Sequence, residues 1–177
     1  MPALRLLRLA SFIKILRDSG VLPSLNVNRF DHRLRLQKYV FLSKKFRISG
    51  FNSYLFSEYM YGPYSPGLAD DYYEMERNRM DPYTEFDKEF YEELNRSAEF
   101  KKFVNLVRNK DSKWLEVAAT MLDLSEAVKR DVSRGIIQEE NAIAVLKDMV
   151  KNRKPFASKR FIEEIYSELK HAGIVAI

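Results

Sequence analysis

The chain contains no cysteine. Disulfides, thiolate metal ligands and a cysteine nucleophile are therefore excluded, and the absence fits a reducing compartment. Imidazole is almost as scarce: His32 and His171 are the only histidines. They fall in different predicted helices, neither at a metal-ligand spacing, and both read as solvated surface residues. Six glycines and six prolines are too few for an all-β protein rich in tight turns. No Gly-rich loop of the phosphate-cradling or dinucleotide type occurs. No run reaches the ~18 apolar residues that a membrane span needs. Without cysteine or a histidine pair, Ser-His-Asp and Cys-His chemistry has almost nothing to work with. The expectation is a protein that is not an enzyme, with no metal and no cofactor.

What is present describes a globular chain. It has 177 residues, 46% of them hydrophobic and 31% charged, enough to bury a core without staples. No repeat or low-complexity linker interrupts it, so a single domain over 1–177 is expected. The net charge of +5 favours an acidic partner but falls short of a nucleic-acid signature.

Periodicity and capping residues predict the elements. The segment from Met1 to Leu16 is apolar and carries Arg5, Arg8 and Lys14. It reads as a first core helix over about 3–18, ended by Gly20, with a targeting or membrane-surface helix as the competing reading. Asp31 is the expected cap of a second helix, about 32–46. Its cations Arg33, Arg35, Lys38, Lys44 and Lys45 form a charged stripe, either a solvent face or a phosphate contact. Residues 51–61 are aromatic and β-prone. Ser65 and Pro66 suit the start of a helix over about 66–77. Further helices are expected after Asp87, Asp111 and Ser158, with an amphipathic segment over 138–152. The fold class that follows is mainly α: a compact multi-helix domain with a small β element, a short strand or hairpin, near residues 51–64.

Three features could carry function. Asp70, Asp71 and Glu74 share a short helix, with Glu58 upstream. They could hold a divalent cation or act as an acid/base pair, although a solvated acidic face is the more common origin of such a cluster. The basic stripe is the second feature. The third is Tyr61-Gly62-Pro63-Tyr64-Ser65-Pro66-Gly67, in which prolines stiffen the backbone and tyrosines offer amphipathic rings. It reads either as a rigid recognition loop or as a strand-to-helix corner packed on the core.

The segments Leu34-Arg35-Leu36-Gln37-Lys38-Tyr39-Val40-Phe41-Leu42 and Tyr59-Met60-Tyr61-Gly62-Pro63-Tyr64-Ser65-Pro66-Gly67-Leu68 resemble those of the YwgA-like proteins of bacteria and archaea. More distantly, they resemble the SocA-type and Panacea antitoxin domains. Trp114 to Thr120, and Ala142 to Val150 leading into Lys154-Pro155-Phe156, also look YwgA-like, so the likeness touches about residues 5–173. It implies a mainly helical fold with a small β element at the Gly-Pro corner. The antitoxin likeness implies binding of a toxin, or its delivery to a protease. That likeness rests on the first half of the chain, and the second half has no His-Glu-Pro-Trp segment of the Panacea type.

The functional expectation is a cytoplasmic, non-enzymatic protein-interaction module of antitoxin or adapter kind. Its partner is a protein, acidic or a toxin, and no membrane is involved. The candidate partner-binding residues are Arg35, Lys38, Tyr61, Gly62, Pro63, Tyr64, Ser65 and Pro66. The alternative is a DNA-binding regulator using helix 32–46 or the C-terminal helix 158–173. Glu163, Glu164 and Glu168 there offset Lys159, Arg160 and Lys170 and leave no net charge for phosphates. Oligomeric state is left open.

Overall fold

The computed structural model describes residues 2–177. The described residues form eight α-helices and one two-stranded hairpin, about 64% helix in all. The mainly α fold with a small β element is as expected, and the hairpin falls inside the expected 51–64 window. The helices are α1 (Leu4–Asp18), α2 (Phe30–Lys45), α3 (Pro66–Arg77), α4 (Lys88–Arg96), α5 (Ala98–Val107), α6 (Ser112–Ser133), α7 (Ala142–Arg153) and α8 (Lys159–His171). The strands are β1 (Ser57–Tyr59) and β2 (Gly62–Tyr64). The chain divides into two compact units, one of Met1–Ser57 with Tyr64–Lys110, the other of Glu58–Pro63 with Asp111–Ile177. None of the helices is long and apolar enough to cross a membrane.

Local chemistry sets the helix starts. Side chains of Ser65, Asp87, Ser97, Asp111 and Ser158 each accept the backbone N–H three residues on, satisfying donors that a helix leaves orphaned. The second helix departs from expectation. It begins at Phe30 after Arg29, and no side chain caps it. Asp31 lies in its first turn and pairs with Arg29, two nitrogens meeting two carboxylate oxygens at 3.1 Å.

The first unit is built on aromatic side chains. Phe12 of α1 meets Phe51 edge-on at 4.8 Å between centroids, and Phe103 of α5 collects Phe12, Tyr39 and Phe46 at 6.0–6.2 Å. Offset and edge-to-face pairs of this kind add stability beyond the area they bury. In the second unit α6, α7 and α8 pack together. Leu115, Ala118 and Leu122 of α6, Leu146 and Val150 of α7, and Ile162, Ile165 and Leu169 of α8 are all buried. Trp114 is buried as well, at 4% exposure.

His32 corrects the expectation of a solvated imidazole. It is 5% exposed, and its Nδ1 accepts the Asn26 backbone N–H at 3.0 Å. Burial holds its pKa below the ordinary 6.5, against the opposing pull of Asp31. The unfolded chain therefore takes up a proton that the folded chain resists. The stability carried by neutral His32 is complete above its unfolded pKa and is lost as pH falls through the lower folded value. The urea midpoint should fall between about pH 7 and about pH 5, and His32→Gln should flatten that part of the profile. An unchanged slope in the variant would remove His32 as its cause. His171 is exposed, as expected.

Candidate functional site

The Tyr61–Gly67 corner is anchored at its C-terminal end. The Gln37 side-chain amide of α2 donates to the Ser65 carbonyl at 3.0 Å and accepts the Ser65 N–H at 2.9 Å. Both backbone groups are thereby satisfied in a buried setting, where an unpaired one costs about 1–3 kcal/mol. Ser65 Oγ also caps α3. Tyr72 of α3 is buried beside Gln37 and Tyr64. Burial, the dominant cause, pushes its phenol above the usual range.

The predicted site residues therefore separate. Lys38, expected on a positive rim, is 2% exposed. Gly62, Pro63 and Ser65 are buried, Arg35 and Tyr64 half-buried, and only Tyr61 and Pro66 exposed. Lys38, Gly62, Pro63 and Ser65 therefore present no surface for docking. Gly62 instead has a backbone role. It sits at φ +90° directly after the two-residue tip Met60-Tyr61, a conformation that a residue with a Cβ adopts only under strain.

Most of the α2 stripe is directed inward. Arg33 donates to the Val27 carbonyl at 2.6 Å, and Lys44 to the Tyr54 carbonyl at 2.7 Å. Arg35 donates to the Val21 carbonyl and to Tyr39 Oη. These cations hold the chain segments on either side of α2. The same holds for α1: Arg5 reaches Asp71, Lys14 reaches Asp18, and Arg17 stacks at 3.8 Å from the Tyr83 ring centre. Residues 1–57 carry 11 Lys and Arg against 2 Asp and Glu, and these contacts absorb much of that imbalance.

Nor is the acidic trio one solvated face. Asp71 is fully buried. It accepts two hydrogen bonds from the Arg5 guanidinium, at 2.6 and 2.7 Å, and one from Tyr54 Oη at 2.6 Å. Asp70 remains exposed and Glu74 partly so. Among the described residues no group of three or more His, Asp or Glu is placed to hold a metal ion.

The most exposed apolar surface of the second unit lies at the hairpin tip. Tyr59, Met60 and Tyr61 are 54%, 80% and 45% exposed. Met60 and Tyr61 line an open cleft of about 380 Å³ with Phe156, itself 51% exposed. Both apolar projections are braced. Lys154, the C-cap of α7, donates from a nearly buried Nζ to the Met60 carbonyl at 2.9 Å and to Glu116 Oε1 at 2.6 Å. Arg153 pairs with Glu58 of β1. Lys151 donates to the Pro155 and Ala157 carbonyls at 2.9 and 2.6 Å and so fixes the turn that carries Phe156. Of the residues at this cleft only Tyr61 is among those expected from the sequence; Met60, Phe156 and their cationic supports are not. The signal for Met60 was its place at the turn between two short strands, where side chains face solvent.

Compared with models of known protein families, with curated proteins and with solved structures, the chain matches none of them.

Proposed function

We propose that this protein is a non-enzymatic, cytoplasmic protein-interaction module that docks its partner at the Met60–Tyr61–Phe156 cleft. The observation that carries the reading is the braced tip. Three consecutive large side chains, Tyr59 to Tyr61, stand exposed on a hairpin whose turn is tied down by Lys154. Preorganised apolar anchors lose little entropy on docking, and Met and Tyr are typical of interface cores. The resemblance to YwgA-like proteins, and beyond them to antitoxin domains, supports an antitoxin or adapter role for the module. The DNA-binding alternative is weakened by Arg33, Arg35 and Lys44, whose donors are held by the protein's own carbonyls.

The test is partner retention by the full chain on a resin, from nuclease-treated host lysate. Wild type should retain a protein that Met60→Ala/Tyr61→Ala holds about 10- to 100-fold less tightly, with no change in melting temperature. Retention that needs nucleic acid, or that survives the double substitution, would contradict the reading.

A further inference from the structure

Resting on that reading of the cleft, we infer that its occupant is an acidic peptide segment carrying one large apolar side chain. Both carboxylates beside the cleft are already matched: Glu116 holds Lys154, and Glu58 holds Arg153. A basic partner would find no unpaired anion there. The cations, by contrast, retain capacity. Lys113, on the first turn of α6, is exposed and makes no hydrogen bond or ion pair with a described residue. Arg153 is about half-exposed and meets Glu58 through Nη1. Lys154 is the third, and its ammonium has three donors. The Met60 carbonyl and Glu116 take two of them.

Incoming carboxylates would meet Lys113 and the exposed part of the Arg153 guanidinium. Such charge-assisted bonds are about twice as strong as neutral ones. An apolar side chain between carboxylates would settle among Met60, Tyr61 and Phe156, where an unbranched thioether adapts to its shape. Single-stranded nucleic acid could stack on Tyr61 and Phe156. It is disfavoured because a strand tracks a continuous basic groove along several phosphates, whereas the cations of this one cleft are interspersed with Glu116 and Glu58.

The inference is tested with a phage-displayed random peptide library selected on the full chain. The expected consensus is a large apolar residue flanked by Asp or Glu. A synthetic consensus peptide should lose at least about tenfold in affinity on Lys113→Glu, about 1.4 kcal/mol, and should bind more weakly as salt rises. Fluorescein-labelled oligouridine serves as the counter-probe. A basic or charge-free consensus, the selection of no peptide, or oligouridine binding that is lost on Tyr61→Ala would overturn the inference. A peptide lost on Met60→Ala but indifferent to Lys113→Glu leaves the cleft standing and removes the acidic occupant. A peptide indifferent to both removes the cleft as well.

Discussion

A Trp114→Ala variant is expected to lose about 3–5 kcal/mol of stability. The residue stands in the first turn of α6, where its backbone N–H is taken by the Asp111 cap at 2.8 Å. Its indole is buried and donates from Nε1 to Glu168 Oε1 of α8 at 3.2 Å. Truncation opens a large cavity and removes the donor that meets a partly buried carboxylate. Trp114→Phe keeps most of the apolar volume and loses the donor, so it should cost less, about 1–2 kcal/mol. Urea unfolding followed by circular dichroism separates the two. An unchanged midpoint for Trp114→Ala would show that the α6–α8 packing does not depend on this side chain.

Asp71→Ala is expected to be nearly as damaging, at about 3 kcal/mol. Asp71 joins α1, α3 and the segment before β1 through Arg5 and Tyr54. The carboxylate is buried, whereas the Arg5 side chain is about half-exposed. Water can rescue the guanidinium when Asp71 is removed, which places the cost at the low end for breaking a buried pair. Tyr54 has no such rescue. Burial, and then its bond to Asp71, push its phenol far above the ordinary range, so it remains the donor in that bond. Tyr54→Phe removes one hydrogen bond and leaves the ion pair intact, for about 1 kcal/mol. The order of midpoints should be wild type, then Tyr54→Phe, then Asp71→Ala. Equal midpoints for the two variants would mean that the Arg5 contacts contribute nothing measurable.

What the sequence discloses here is set by how local the physics is. Helix starts at Ser65, Asp87, Asp111 and Ser158 are legible because each cap bonds an amide three residues away. Helix ends at Gly20, Gly135 and Gly173 are legible because each takes a left-handed φ, between +71° and +74°. Burial of charge is not legible in this way. Asp70 and Asp71 are adjacent, and composition treats them alike. Only the helical period places Asp71 with Leu68, Tyr72 and Met75 on the buried side, and its partner Arg5 lies 66 residues away. Lys38 misleads for the same reason: it sits in a run from Leu36 to Ser43 that is buried all round. The docking surface is the most remote of all. Met60 and Lys154 are 94 residues apart, and no local rule brings Phe156 to the hairpin tip.

The central claim is that Met60 lies at the centre of the partner interface, and oxidative footprinting of that thioether tests it most directly. Met60 is 80% exposed, whereas Met75, Met80 and Met121 are buried. Mild peroxide should convert Met60 to its sulfoxide well before those three in the free chain, because access governs the reaction. In the complex with the retained partner, Met60 oxidation should slow sharply while that of the buried methionines is unchanged. Oxidation of Met60 at the same rate, free and bound, would contradict the account.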